Sequence, residues 1–150
     1  MGSQKTVVLT TLQELAGKEV DTAAERLAEA NRQLAEAEKS LGILMQYRAD
    51  YVSQRDHAMS NGMTAEIYQN YQNFLGKLSS AIVSQTESVE RVRQVSNLRK
   101  QEWQECQKKK LSYDVLLDRD EKRTQAAELK KDQKLMDEHA MRLSRQYPRQ

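Results

Sequence analysis

Apolar residues recur along the first third of the chain in alternating steps of four and three. The run consists of Ala16, Val20, Ala23, Leu27, Ala30, Leu34, Ala37, Leu41 and Leu44. It continues through Arg48 to Tyr51. A repeat of this kind predicts the seam of a helix that supercoils left-handedly against a partner helix. We expect this helix to begin near residue 9, with Thr10 or Thr11 as its cap.

Large side chains alternate with alanine between Val20 and Leu41. Alanine lets two helix backbones approach closely, which favours an antiparallel hairpin, although alanine-rich seams also occur in parallel dimers. Residues 9–59 carry nine acidic and six basic side chains, whereas residues 65–117 carry six acidic and eight basic ones. Arms of weakly opposite charge favour pairing within one hairpin.

One segment, Ser60 to Thr64, interrupts the helical pattern. Asn61 and Gly62 tolerate the left-handed backbone conformation that ends a helix, and the Thr64 hydroxyl can cap the helix that follows. The apolar repeat then resumes at Tyr71, Leu75, Leu78, Ile82, Val89 and Val92, and continues more loosely at Trp103, Cys106, Tyr113 and Leu117. Polar residues weaken this second repeat at Gln85, Ser96, Arg99 and Lys110.

These patterns predict an all-α fold, a long two-helix antiparallel coiled-coil hairpin with a C-terminal helical overhang. We expect a single coiled-coil domain over residues 1–150, with helix 1 at about 9–59, a turn at 60–64 and helix 2 at about 65–145. A bend near residues 62 and 63 pairs residues whose numbers sum to about 125. Roughly the last 30 residues then have no partner in the chain.

Composition agrees with an elongated helical protein. Only 38% of the residues are hydrophobic and 5% aromatic, which is little material for a globular core. The net charge of +2 comes from 24 basic and 22 acidic residues spread along the chain, so we expect no nucleic-acid partner. No apolar run is long enough for an integral membrane segment, and the single cysteine, Cys106, fits a reducing compartment. A cytoplasmic location is therefore expected.

The sequence offers no arrangement of residues suited to catalysis. Gly17 and Gly76 precede lysines, but neither belongs to a glycine-rich phosphate loop. His57 and His139 have no second histidine or cysteine at metal-ligand spacing. We therefore expect no enzyme activity, no cofactor and no metal.

Two sets of apolar residues are candidates for binding another protein. The pairing rule brings one set together near the turn: Leu44, Tyr47, Tyr51, Phe74, Leu78 and Ala81. Two helices cannot bury a flanking row such as Tyr47, Phe74 and Ala81, so we expect part of it to stay exposed as an interface for another protein. The second set is a sparse stripe on the overhang: Ala126, Leu129, Met136, Ala140 and Leu143. The stripe fits either a solvated tail or a helix that becomes ordered inside a partner.

Several segments, taken in order, carry a resemblance to a known family. They are Leu15–Asp21 (LAGKEVD), Tyr47 with Tyr51, Asn61-Gly62, Asn70–Phe74 (NYQNF) and Lys131–Glu138 (KDQKLMDE). Together with the length and the position of the bend, they resemble the FliJ family, the small coiled-coil component of the bacterial flagellar type III protein export apparatus.

The resemblance implies a cytoplasmic protein, peripherally associated with the membrane at the flagellar base. Family members associate with the hexameric export ATPase, contact the cytoplasmic domain of the export gate and handle export chaperones. They look like the central stalk subunit of rotary ATP synthases. The six residues near the turn match the family's gate-binding row. The open end of the hairpin, made of the N-terminal turns and the overhang with Leu129, Met136, Ala140 and Leu143, is then the expected ATPase-binding end.

Two other functions stay open at this point. One is a general holding chaperone that binds unfolded export substrates through the same apolar surface. The other is a structural spacer that homodimerises through its seam.

Overall fold

A computed structural model describes residues 3–147, and two α-helices account for nearly all of them. Helix α1 spans Ser3–Ser60 and helix α2 spans Ala65–Gln146. No strand occurs between residues 3 and 147. The predicted all-α hairpin is confirmed, since the two long helices pack against each other and run in opposite directions.

The start of α1 differs from the prediction. The helix begins at Ser3, about six residues earlier than expected, and Thr10 and Thr11 are interior residues rather than caps. The Thr11 hydroxyl donates to the carbonyl of Val7 at 3.0 Å, a bond made within a continuous helix. Leu9 is buried. No proline or glycine lies between Ser3 and Leu9, so packing at Leu9 can extend the helix toward the N-terminus.

The turn between the helices follows the predicted chemistry, with one refinement. Gly62 alone has the left-handed backbone conformation, at a φ of 87°. The amide of Asn61 donates to the carbonyl of His57 at 3.3 Å, within the last turn of α1. On the other side, the Thr64 hydroxyl accepts a hydrogen bond from the amide of Ile67 at 3.2 Å, which confirms Thr64 as a helix cap.

Contacts divide the chain into two compact units, one made of Met1–Asp21 with Glu105–Gln150 and the other of Thr22–Gln104. In the second unit, Arg48 bonds to Ser79 and Asn31 to Ser96, so paired residue numbers sum to 127. In the first unit, Gln13 bonds to Asp114 with the same sum. The register therefore lies about two residues from the predicted one.

Small residues fill the most buried positions of α1. Ala16, in the first unit, is 1% exposed, and Ala23 and Ala30, in the second, are also buried. Their larger neighbours in the repeat, such as Val20 and Leu27, are only half-buried. Because alanine adds little bulk, the two backbones approach closely at these layers, as the alternation of large and small residues predicted.

Two of the polar residues that weaken the α2 repeat, Gln85 and Ser96, form hydrogen bonds to α1 in the seam. The Gln85 side chain donates to the carbonyl of Ala37 at 3.1 Å, and the buried Ser96 hydroxyl donates to Asn31 at 2.6 Å. Every buried side-chain nitrogen or oxygen in the described part of the chain has a hydrogen-bond partner. The seam therefore continues through these positions without leaving a polar group unsatisfied.

Candidate functional site

Aromatic rings from both helices meet near the turn, within the unit Thr22–Gln104. The Tyr51 ring packs between α2 neighbours, with its centroid 4.6 Å from that of Phe74 and 5.0 Å from that of Tyr71. Tyr47 meets Phe74 edge to face, at 6.0 Å between centroids and 84° between planes. Geometries of this kind add about 0.5–1.5 kcal/mol per pair beyond burial. The rings therefore form a fixed cluster.

The six residues predicted as an interface are here called the aromatic patch, and the structure brings them together: Leu44, Tyr47, Tyr51, Phe74, Leu78 and Ala81. They do not contribute equally to its surface. Tyr47 is 51% exposed, whereas Leu78 is buried in the seam at 7%. Leu44, Tyr51, Phe74 and Ala81 are half-buried. Leu78 therefore supports the patch from beneath, and Tyr47 stands highest above it.

The two flanks of the seam near the turn differ in chemistry. Beside the aromatic patch, the flank carries exposed rings and aliphatic side chains. On the other flank, polar side chains join the helices: Arg48 donates to Ser79 at 3.0 Å and Arg55 donates to Gln72 at 2.8 Å. The aromatic rings therefore lie on one flank, whereas the other flank combines these polar contacts with the side chain of Met45, which is 55% exposed.

Two exposed isoleucines extend the aromatic patch and were missed by the sequence analysis. Ile43, 60% exposed, precedes Tyr47 by four residues and so lies on the same face of α1. Ile67, 47% exposed, precedes Phe74 by seven residues and lies on the same face of α2. Their spacing is visible in the sequence, but neither isoleucine lies directly opposite a residue of the patch in the predicted pairing.

The overhang of α2, residues 121–147, has no packing partner among the described residues, and every residue in it is exposed. The last link between the helices is the hydrogen bond from the Thr6 hydroxyl to the carboxylate of Asp120. Leu129 is 70% exposed, Met136 73% and Leu143 44%, and Ala140 is exposed as well. The four residues predicted to bind the ATPase therefore lie on an exposed helix surface.

An exposed ion pair on α1 carries shifted pKa values. Hydrogen bonds from Arg32 and then Gln33 lower the pKa of the Glu29 carboxyl, and Glu29 in turn raises the pKa of Arg32. Arg32 also contacts Glu36 at 2.6 Å. The pair belongs to the solvated face of the helix, away from the aromatic patch, and its role is local.

Other kinds of site have no counterpart in residues 3–147. No cluster of three or more histidine, cysteine, aspartate or glutamate side chains there is suited to a metal ion. Neither described helix contains a stretch apolar enough to cross a membrane. The features that stand out on the described surface are the aromatic patch and the apolar stripe of α2.

Comparisons with known proteins give a consistent result over nearly the whole chain. The sequence model of the family described as "Flagellar FliJ protein" matches residues 4–149. The chain is 35% identical to a Flagellar FliJ protein of Salmonella typhi over 140 residues, covering 93% of this chain and 95% of the relative. It is 33% identical, with the same coverage, to a Flagellar FliJ protein of Escherichia coli strain K12.

Proposed function

Because the chain belongs to the FliJ family and is thus a component of the flagellar export apparatus, we propose that it is a stalk-like adaptor with two binding surfaces. The aromatic patch binds the cytoplasmic domain of the export gate, and the open end, made of the N-terminal turns and the overhang, binds the hexameric export ATPase. By holding both, the adaptor couples the ATPase to export. It performs no catalysis itself.

The single observation that carries the proposal is the exposed and fixed ring of Tyr47 in the aromatic patch. Tyr47 is 51% exposed, yet its ring is held edge to face against Phe74 at 6.0 Å. A large ring that is both exposed and fixed loses little conformational freedom when a partner covers it, which is typical of interface anchors.

The overhang has properties that suit the second proposed surface, the one that binds the ATPase. It is a helix without tertiary packing and therefore only marginally stable in water. Its exposed Leu129 and Met136 are separated by seven residues, and Leu143 follows at the same interval. A helix with this stripe gains order and buried area together when it enters a partner.

Two further parts of the proposal depend on the family. The protein works at the cytoplasmic side of the membrane, peripherally associated with the flagellar base through its partners. It also receives export chaperones after they have released their cargo.

A double substitution tests whether the surfaces are separate. We expect Tyr47→Ala with Phe74→Ala to weaken binding of the gate's cytoplasmic domain by about 100-fold, since two anchors are lost. Binding of the export ATPase, measured in parallel by calorimetry, should change by less than about twofold. The matched control is Met45→Ala with Val83→Ala, two apolar residues of the same unit that are 55% and 59% exposed on the flank away from the aromatic rings. Equal loss of both partners, with helicity intact, would refute two separate surfaces.

The alternative functions predict other results. A general holding chaperone would bind many unfolded proteins through the aromatic patch and would show no preference for the gate domain. A homodimeric spacer would use its seam for a second copy, but here the seam residues Ala16, Ala23 and Leu75 are buried against the same chain. Light scattering separates the spacer from the adaptor, because the adaptor is a monomer in isolation.

A further inference from the structure

The seam of α1 repeats itself every seven residues within the unit Thr22–Gln104. Its buried and half-buried positions alternate between alanine and leucine: Ala23, Leu27, Ala30, Leu34, Ala37 and Leu41. A shift of seven residues along α1 therefore replaces each alanine by an alanine and each leucine by a leucine. A heptad repeat without a distinctive member specifies that two helices pair, but it does not specify the register in which they pair.

The residues of α2 that face this stretch would also fit it after such a shift. In the observed register, paired numbers sum to 127 to within one residue, so Trp103 lies opposite Ala23. Seven residues further along α1, Trp103 would meet Ala30, and the large ring would again have an alanine opposite it. Val92 would likewise exchange one leucine for another. Apolar packing in the middle of the unit therefore favours neither register strongly.

The hydrogen bonds of the middle stretch also have substitutes in the shifted register. The Gln85 side chain donates to the backbone carbonyl of Ala37 at 3.1 Å, and a backbone carbonyl recurs at every position of α1. The Ser96 hydroxyl donates to Asn31 at 2.6 Å, and seven residues further on the Glu38 carboxylate can accept the same bond. Neither bond would leave a buried polar group unsatisfied after the shift.

One ion pair does distinguish the two registers. Arg93 and Glu38 lie 3.1 Å apart, and a shift would bring Met45 to the place of Glu38. The two side chains are 48% and 47% exposed, so water screens their charges and the pair contributes little. The middle of the unit therefore has no strong preference for one register.

The end of the hairpin near the turn, by contrast, fits the observed register alone. We call it the tip; it consists of the turn and the rings of Tyr51, Tyr71 and Phe74. The Tyr51 centroid lies 4.6 Å from that of Phe74 and 5.0 Å from that of Tyr71. After a shift of seven residues, Tyr51 would meet Leu78 and Ala81 in their place. Ring pairs stabilise the register in which they form, beyond the effect of burial.

The turn adds to the same preference. Gly62 has the left-handed backbone conformation, at a φ of 87°, and the Thr64 hydroxyl caps α2 through the amide of Ile67 at 3.2 Å. A shift of seven residues moves the centre of the turn by about half that number, into the segment 65–67, which contains no glycine. Gly62 would then lie inside a helix, where glycine is unfavourable.

We propose that the tip locks the register of a seam that by itself also fits a second register, seven residues away. Slippage into the second register would displace one helix along the other by about 10 Å, at 1.5 Å per residue. The rings of the tip thus have a positioning role in the free protein, independent of the partner proposed above. Tyr51, which contacts two other rings, has the largest share in it.

Engineered cysteine pairs report which register is occupied, in a chain that carries Cys106→Ser. Ser96→Cys with Ala30→Cys forms a disulfide in the observed register, where these two small buried residues lie opposite each other. Ser96→Cys with Ala37→Cys forms one only after a shift of seven residues. With an unaltered tip, we expect the first pair to cross-link at least about 100-fold faster than the second.

Removal of the rings tests the lock. Tyr51→Ala with Phe74→Ala should raise the rate of the second cross-link relative to the first by about tenfold or more, because the ring pairs of the tip are lost. The matched control is Met45→Ala with Val83→Ala, at residues that are 55% and 59% exposed on the flank away from the rings. It should change the ratio of the two rates by less than about twofold.

Two results would overturn the inference. If the ring variant keeps its helicity and the ratio of rates does not rise, the middle of the seam holds the register by itself. If the two pairs cross-link equally fast with an unaltered tip, no lock exists. Should the ring variant be too unstable to measure, Gly62→Ala with Thr64→Ala alters only the turn and should raise the ratio by about threefold or more. An unchanged ratio in that variant would overturn the inference as well.

Discussion

The paired stretch of α2 and its overhang are parts of one helix, yet different forces hold them. Between Tyr71 and Leu117, side chains on one face pack against α1, and Leu75 is only 5% exposed. From Glu121 onward every described residue is exposed. Helix propensity is similar in the two regions, so the difference comes from tertiary packing. In the paired stretch, the proposed binding residues flank a buried seam, whereas in the overhang they form an exposed apolar stripe.

The largest expected difference between the regions is in the cost of truncating a leucine. Leu75→Ala should lower the free energy of unfolding by about 2–4 kcal/mol, because a buried side chain is lost from the seam. Leu129→Ala, the matched change at a leucine that is 70% exposed, should alter it by less than about 0.5 kcal/mol. Urea denaturation followed by circular dichroism measures both. Similar costs would mean that the overhang is packed against something in the free chain.

Two glycine substitutions test how much the conformation of the turn contributes to the stability of the hairpin. Gly62→Ala should destabilise the hairpin by about 1–2 kcal/mol, since its φ of 87° is unfavourable for a side chain. Gly76→Ala should stabilise it by about 0.5–1 kcal/mol, because the glycine is inside a helix and an added Cβ meets no atom within 4 Å. Thermal unfolding reports the opposite signs. A stabilising Gly62→Ala would contradict the described turn.

A glutamine pair tests the polar layers of the seam. Gln85→Ala removes the hydrogen bond to the Ala37 carbonyl and should cost about 1 kcal/mol. Gln133→Ala, at an exposed position of the overhang, should have an effect within about 0.5 kcal/mol. If both substitutions were neutral, the bond from Gln85 would contribute nothing to pairing.

The smallest effect concerns the exposed ion pair of Glu29 and Arg32. Because hydrogen bonding from Arg32 lowers the pKa of Glu29, the ionised carboxylate is favoured in the folded chain. Its contribution is present above the ordinary carboxyl pKa and is lost as the pH falls through the lowered value. Arg32→Gln should therefore raise the pKa of Glu29 toward its ordinary range in a carbon-detected NMR titration. An unchanged pKa would show that Arg32 is not the cause.

Much of the fold follows from the sequence because a heptad repeat is a direct consequence of two helices packing side by side. The repeat predicts the position of the seam. The conformational freedom of Gly62 and the capping hydroxyl of Thr64 predict the position of the turn. The predicted start of α1 is wrong because the side chains of Thr10 and Thr11 suggest caps, whereas packing of Leu9 extends the helix to Ser3. The expectation of one domain over residues 1–150 stays a prediction.

The candidate site was less accessible from the sequence. The predicted pairing of residues across the two helices places the members of the aromatic patch near one another. It does not predict how exposed each side chain is, because exposure depends on the direction in which the side chain points from the seam. Leu78 is therefore buried while Tyr47 is open.

Hydrogen exchange of backbone amides, measured with and without the export ATPase, tests the central contrast most directly. In the free chain, amides between residues 71 and 117 should exchange slowly and those between 124 and 143 quickly, because only the former lie in a packed helix. Addition of the ATPase should slow exchange at 124–143. Equal protection of both stretches in the free chain, or no change at 124–143 on adding the ATPase, would contradict the account.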